Sequence, residues 1–556
     1  MTTAVPTLCL GSPRFPGNMS TKMDDGQCWQ SLIGRVGPDQ AASQVQGDFA
    51  VALPLPDGAV FMAVDRFAVR PLCYRVVNGT LSFAARADTL ADSSAALDLQ
   101  ALFDYLYFHV IPSPRTVFNG VFRLPPGHFA IFRDGCLSVK PYSIPSFKVE
   151  SPVSFDGLRD EFRTLLRDAV GRQTDGSKAA CFLSGGTDSS TVAGMIGEAS
   201  GSPAVAYSIG FAAEGYDEMA YARLAARHFG CEHREIYFAA DDLVREIPQV
   251  AAWYDQPFGN SSALPSFHCA VQAQRDGVTR ILAGDGGDEL FGGNSRYAAQ
   301  QVFDHYRQVP RWMRQGLLEP FFGIPAVARI PGLKKGSNYI RLANTPLPDR
   351  AQDYNLIRRL GYERVFTAAF LAAVDVNAVD VQQREVWAQA ECADEIDRHL
   401  AYDWRYTLAE CDLPKVVGTT SMAGISVGFP LLDDALVAFS TKLPPDYKVR
   451  GQTLRWFFKE ALRGFLPDDV LKKRKQGFGL PFGVWMVQHQ GLKVLAEDAL
   501  KSIVARGVVR QEFVKELLDQ RLPQHPHYYG TMVWILIMLE HWFRRYAPDW
   551  TLAAQT

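Results

Sequence analysis

One six-residue stretch, Ser184-Gly185-Gly186-Thr187-Asp188-Ser189, constrains this chain more than any other. It follows a short apolar run, Ala179-Ala180-Cys181-Phe182-Leu183, and leads into Ser190-Thr191-Val192-Ala193-Gly194-Met195-Ile196, which reads as a helix. A strand, a glycine turn and a helix start, in that order, make an anion cradle. Successive backbone N–H groups converge there, and the helix dipole adds partial positive charge. Gly185 and Gly186 let the backbone approach a ligand closely. Ser184 and Ser189 can donate hydroxyls, and Asp188 can hold a metal beside bound phosphates. The loop has no lysine, which excludes the G-x-x-x-x-G-K-S/T phosphate loop. Taken alone, the hexapeptide also fits a polar turn capped by Asp or Ser.

Strand–helix alternation surrounds this turn. A strand at Ala204–Ile209 precedes a helix over 217–229, and Arg280-Ile281-Leu282-Ala283 precedes a second glycine turn. Alternation of this kind predicts a parallel sheet with helices on both faces and ligands at the strand carboxyl ends. Upstream, residues 1–150 carry short β-like runs such as Phe49–Leu53, Ala59–Val64, Leu81–Ala84 and Gly127–Phe132. Turn signals at Pro56-Asp57-Gly58, Asn78-Gly79 and Asp134-Gly135 separate them, predicting a β-rich layered domain. An amphipathic helix through Leu158, Phe162, Leu165 and Leu166 then leads into a second domain over 151–556, mostly helical after about 300.

The second turn is Gly284-Asp285-Gly286-Gly287-Asp288-Glu289. Clustered carboxylates repel unless a cation joins them. Next to the first turn, this one makes a partner site for Mg²⁺.

With both turns in view, the chain resembles the asparagine synthetase B family along nearly its whole length. The first turn looks like the pyrophosphate loop of ATP pyrophosphatases, and Gly284–Gly293 like the family's second ATP motif. Tyr207-Ser208-Ile209-Gly210-Phe211 resembles the nucleotide strand, and His233-Arg234-Glu235 the stretch that closes that unit. Asp412-Leu413-Pro414, Ser421-Met422-Ala423 and Phe429–Asp433 match in the C-terminal half, as does Arg474-Lys475-Gln476-Gly477-Phe478-Gly479-Leu480-Pro481. The N-terminal half matches at Gly47–Ala50, Asp65–Leu72 and Leu124–His128. The resemblance implies two domains, α/β and α+β: a degenerate Ntn-hydrolase-like β sandwich and an α/β ATP-pyrophosphatase domain with a helical extension. It implies ATP and Mg²⁺ as cofactors, with activation of a carboxylate as an acyl-adenylate and attack by an amine. Ser184, Gly185, Gly186, Thr187, Asp188, Ser189, Ser208, Gly210 and Gly284 would bind the nucleotide. Asp188 and Asp288 would hold the metal. Lys475 would stabilise charged transition states, whereas Lys472 and Lys473 read as a solvated basic run. Asp285, where many relatives have glutamate, would move a proton, orient substrate or serve a structural role near the metal.

The pattern also breaks. Position 2 is Thr2 where the family's glutaminase half has its nucleophilic cysteine, the nearest cysteine is Cys9, and Arg35-Val36-Gly37-Pro38-Asp39 only faintly echoes the expected loop. This implies a glutaminase domain kept as scaffold. Further on, Gly418-Thr419 and Ser426-Val427-Gly428 replace the D-R and E-x-R of asparagine synthetases. An acidic substrate wants such arginines for bidentate recognition, so their loss weakens the case for aspartate.

The expectation is an ATP-dependent, AMP-forming amide synthetase that does not hydrolyse glutamine. Specialised relatives without the cysteine close β-lactams or join a peptide's amine to its own Asp or Glu side chain. The second case would bring a precursor peptide and a leader protease as partners. Ammonia-dependent asparagine synthesis, sugar-acid amidation and a catalytically silent scaffold are the alternatives. Bulk features restrict partners further. The 57 basic against 60 acidic residues give a net charge of −3, which offers no field for nucleic acid. Nine scattered cysteines and no signal-like or spanning segment point to a cytoplasmic protein without membrane insertion. Met532–Glu540 reads as a buried helix.

Overall fold

The computed structural model describes residues 6–17, 23–92, 96–149, 154–174, 179–213, 215–473 and 479–555. The N-terminal half is antiparallel. Leu8–Gly11, Phe49–Pro54, Val60–Val64, His128–Arg133 and Cys136–Pro141 form one sheet in that spatial order. A three-stranded sheet of Thr80–Ala84, Cys73–Val77 and Phe122–Arg123 lies beside it. The long strands read cleanly because both faces are covered. Odd residues such as Phe49, Val51 and Phe61 meet Trp29 and Leu32 in one core, while Ala50, Ala52, Met62 and Val64 meet Leu72 and Tyr74 in another. Asp65 fixes the turn after Val64 by accepting N–H bonds from Phe49, Phe67 and Val69.

The C-terminal half holds the expected parallel sheet, ordered Glu232–Phe238, Val205–Phe211, Ala180–Phe182, Arg280–Leu282 and Ser426–Gly428. The chain lays its strands outward from Ala180–Phe182 on one side and then returns to lay Arg280–Leu282 on the other. That reversal puts a topological switch between two neighbouring strands, the place where sheets of this kind bind ligands at their carboxyl ends. The last strand comes from residues that the sequence pattern left unassigned. Ser426–Gly428 is too short for its own periodicity and joins the sheet through Ile281 and Leu282.

The halves share a core. Helix Leu99–Phe108 of the first half inserts Phe103, Tyr105 and Leu106 among Trp534, Ile535 and Trp542 of helix Pro526–Tyr546. The latter helix is buried along its centre, as its apolar run predicts. Tyr105 donates to the Ile535 carbonyl at 2.8 Å. Buried Glu410 receives Ser113 Oγ at 2.7 Å and pairs with Arg123 and Arg405, tying loops of the first half to the second. Among the described residues no helix is long and apolar enough to cross a membrane.

Candidate active site

Both glycine turns sit at the switch point. After Phe182 the chain turns through Gly185 at φ +71°, and helix Thr187–Ser200 begins with no side chain capping it. Gly185 is required twice: by its positive φ, and because an added Cβ would run into the backbone of Tyr221 and Ala222. Ser189 Oγ accepts from the Ser184 N–H at 3.1 Å and lies 3.0 Å from Ser184 Oγ, closing the turn into a ring. On the adjacent strand Gly286 takes φ +102°. A Cβ on Gly284 would stand 2.8 Å from the Ser189 nitrogen, and one on Gly287 would strike the Asp188 carboxylate. The two turns are therefore packed backbone to backbone, which only glycine permits.

Asp188 and Asp288, one from each turn, converge on a third group. Arg455 reaches both carboxylates and also donates to Thr187 Oγ1 at 2.5 Å. Its side chain is 4% exposed. Arg455 is left-handed, at φ 53°, and its N–H donates to the Gly292 carbonyl at 3.1 Å, so its backbone is set by the second turn. The three charges sum to −1, and the carboxylates supply hard oxygen donors, which fit Mg²⁺.

Asp285 faces the other way. Lys415 Nζ lies 3.4 Å from Asp285 and 3.0 Å from Asp412. Burial pushes the Asp285 carboxyl up; Lys415 pulls it down, and Asp412 and Asp188 push it up again. Burial pulls Lys415 down, but Asp412 and Asp285 outweigh it and leave the ammonium above its ordinary range. The lysine is therefore charged at neutral pH. It sits one turn beyond Asp412, where a π-helical stretch, Trp404–Asp412, passes into helix Leu413–Met422. Wide π turns often mark functional positions in helices.

The other sequence candidates divide. Ser208 is buried, and its hydroxyl donates to the Leu183 carbonyl at 2.5 Å, with His233 Nε2 at 2.7 Å. The side chain thus pins two strands together. Gly210 is closed in by Asp217 and the Tyr237 ring. Lys475 lies outside the described residues, as does Thr2. Lys473 is not solvated as its basic run suggested. It pairs with Glu218 at 2.7 Å and lies 4.7 Å from the Tyr221 ring, beside the first turn. Sequence reasoning missed Arg455, which no local pattern marks, and Lys415, whose i+3 spacing from Asp412 was a usable signal.

In the first replaced pair Gly418 stands where the acid was expected and Thr419 where the arginine was; Thr419 is buried, and its hydroxyl donates to the Lys415 carbonyl at 2.8 Å. Gly418 makes room for the ring of Tyr254, which stacks on Phe258 at 4.3 Å. Tyr254 donates to the Lys415 carbonyl at 3.1 Å. Gly428 is a strand residue packed against Gln173 and Leu282.

A parallel sheet with two glycine turns at its switch point, fused to an antiparallel domain, defines a two-domain α/β enzyme. A family model for asparagine synthase matches residues 161–544, and one for the glutamine amidotransferase domain matches residues 21–143. The chain belongs to the asparagine synthase family, whose members are ATP-dependent, amide-forming ligases. It is 25% identical over 529 residues to the glutamine-hydrolyzing asparagine synthetase 1 of Bacillus subtilis (strain 168), covering 92% of this chain and 80% of that protein. It is 22% identical over 484 residues to amidase chry2 of Gibberella zeae, covering 80% of this chain and 71% of the relative. The glutamine-hydrolyzing asparagine synthetase of Gallus gallus is 26% identical over 294 residues, 48% of this chain and 49% of its own length.

Proposed function

We propose that this enzyme adenylates a substrate carboxylate with ATP and passes the acyl group to an amine, without drawing nitrogen from glutamine. The observation that carries this reading is the pair of carboxylate–cation clusters flanking one strand end, Asp188–Arg455–Asp288 and Asp285–Lys415–Asp412. A carboxylate oxygen attacks the α-phosphorus, and the α–β phosphoanhydride bond breaks to release pyrophosphate. The amine then attacks the acyl carbon, AMP leaves and the amine gives up a proton. The first step is fast only if the charge growing on pyrophosphate is held. The first turn and the N-terminus of helix Thr187–Ser200 supply N–H donors for it. Asp188 and Asp288 would hold Mg²⁺, which when bound supplies Lewis-acid stabilisation of the phosphate oxygens. Ser184, Gly185, Gly186, Thr187, Ser189 and Gly284 shape the cradle, while Ser208 and Gly210 serve through backbone at the neighbouring strand. Lys473, anchored on Glu218, brings the chain to the edge of the first turn two residues before Lys475. Lys475, by its match to the family motif, would be the group that steadies the charged transition states. Lys415 favours the ionised form of Asp285 against its burial, and Asp285 orients the incoming acid or accepts the amine's proton.

Glutamine independence rests on the four cysteines of the N-terminal half. Cys9 lies within strand Leu8–Gly11, where burial and then Asp25 and Asp24 push its thiol up to about 11. Burial also raises Cys28 and Cys73, and Cys136 lies at the outer end of an edge strand. A nucleophilic thiol needs the opposite shift. The filled arginine positions favour a peptide carboxylate over aspartate, so we place the closing of a peptide's amine on its own Asp or Glu side chain first. A precursor peptide and a leader protease would be its partners. ATP–pyrophosphate exchange with a panel of acids and acidic peptides tests the reading. Exchange that depends on an acid and disappears in Asp188→Ala supports it. No exchange with any acid, together with unchanged nucleotide binding in Asp188→Ala, overturns it.

A further inference from the structure

Beyond the two clusters lies a cavity of about 780 Å³. Its lining includes Cys411 and Asp412, and Asp412 pairs with Lys415, which in turn pairs with Asp285. Three features describe what it would hold. First, its size falls in the upper range of small-molecule pockets, about 300–1,000 Å³. A free amino dicarboxylate would leave most of it empty. Second, much of its wall is aromatic, including Tyr107, Phe303, Tyr354, Trp387, Tyr402 and Tyr406. Its lining cation is already used: Arg296 pairs with Asp403 at 3.2 Å and donates to Thr407 Oγ1 at 3.0 Å. Third, four buried polar atoms among its lining residues have no hydrogen-bond partner among the described residues: Gln300 Oε1, His399 Nε2, Tyr406 Oη and Tyr528 Oη. Gln300 is 7% exposed and His399 4%.

Buried polar atoms without partners cost about 1–3 kcal/mol each, so four around one cavity call for a ligand that satisfies them. Gln300 Oε1 accepts only, and the two tyrosine hydroxyls can donate. Burial, with Arg296 and Arg350 nearby, pushes His399 down to about 3, so its ring is neutral. An acceptor, two hydroxyl donors and a neutral imidazole among aromatic rings match the N–H and C=O groups of a peptide and the face of an aromatic side chain.

We propose that this cavity is the acyl-substrate pocket, and that it selects a peptide segment carrying an aromatic side chain next to the carboxylate to be activated. This rests on the adenylation reading given above. The cavity supplies recognition, and the Lys415 cluster receives the carboxylate end.

Two blocked dipeptides test it: acetyl-Phe-Asp-amide and acetyl-Gly-Asp-amide, with free aspartate as the small acid. Calorimetry reads binding without ATP, and ATP–pyrophosphate exchange reads activation. The aromatic dipeptide should bind and should show a KM at least about tenfold below that of the glycine analogue. Gln300→Leu and Tyr406→Phe keep the side-chain volume and should each raise that KM about fivefold with kcat little changed. Ala299 is an exposed lining residue, so Ala299→Trp should block the cavity without disturbing the fold, and binding should be lost. Equal behaviour of the two dipeptides, or unchanged binding in all three variants, overturns the pocket. Exchange with acetyl-Phe-Asp-amide at wild-type KM in every variant keeps adenylation and sinks the pocket. Aromatic binding that Ala299→Trp removes, with no exchange by any acid, keeps the pocket and sinks adenylation. The melting temperature of each variant shows that the comparison is between folded proteins.

Discussion

The two ion clusters at the switch point have the same formula, two carboxylates and one cation, yet they are built differently. Arg455 comes from a distant part of the chain, is almost wholly buried, and clamps Asp188 and Asp288 with a planar guanidinium. Lys415 belongs to the same helix as Asp412, keeps 15% of its side chain exposed, and holds Asp285 as a point charge on a flexible stem. The first arrangement fixes geometry, which is what a pyrophosphate cradle needs. The second leaves charge adjustable, which suits a site where an acid arrives and an amine loses a proton.

The comparison predicts unequal damage. Asp188→Asn keeps the shape but removes the carboxylate that the cradle and Arg455 share and that would hold Mg²⁺. Exchange should fall about 10³-fold, at the upper end for a single electrostatic group, with the circular dichroism spectrum unchanged. A fall of less than tenfold would mean that Asp188 is only a turn residue.

Arg455→Met tests the clamp as structure. It leaves two partly buried carboxylates facing each other without their shared cation. Loss of one partner from such a group costs about 3 kcal/mol, read from urea unfolding. Adding Mg²⁺ should restore part of that stability in the variant more than in the parent, because the ion can take the guanidinium's place. If Mg²⁺ stabilises both equally, the carboxylates do not form its site.

Lys415→Met tests the adjustable side. The Asp285 carboxyl is already raised by burial, and Lys415 is the group that lowers it. A carboxyl with a raised folded value favours the folded state while protonated, and that contribution is lost as pH rises through the folded value. Removing Lys415 moves the value further up, so the acid limb of the exchange profile should shift upward. Activity should fall most at the acid end of the profile and recover as pH rises. A drop that is the same at every pH would make Lys415 a packing residue.

How much of this could be read from the sequence differs between the clusters in the same way. The turns themselves were legible, because a strand, glycines and carboxylates occur together within ten residues. So were the parallel sheet, and the antiparallel strands at Phe49–Pro54 and Val60–Val64, whose apolar runs are bounded by Gly and Asp. Strand Ser426–Gly428 was not, since three residues take their identity from the neighbour they pair with. Arg455 was not legible either: it joins the site across 267 positions, and nothing in Thr453-Leu454-Arg455-Trp456 marks a left-handed residue. Lys473 misled in the opposite direction. A basic run reads as solvated until the fold sets Glu218 and Tyr221 beside it.

The smallest expected effect lies in the N-terminal half, where burial raises the thiols of Cys9, Cys28 and Cys73. Cys9 pairs with Val51 across the strands Leu8–Gly11 and Phe49–Pro54, and its thiol is raised. Its null behaviour is a direct test of the scaffold reading. Cys9→Ser should change amine-dependent product formation by less than about twofold, since the swap is conservative and away from the switch point. Glutamate release from glutamine should stay at background in the parent, in Cys9→Ser and in Thr2→Ala. Release above background that Thr2→Ala abolishes would show a working hydrolase in this half, and the site at the switch point would then receive nitrogen from glutamine after all.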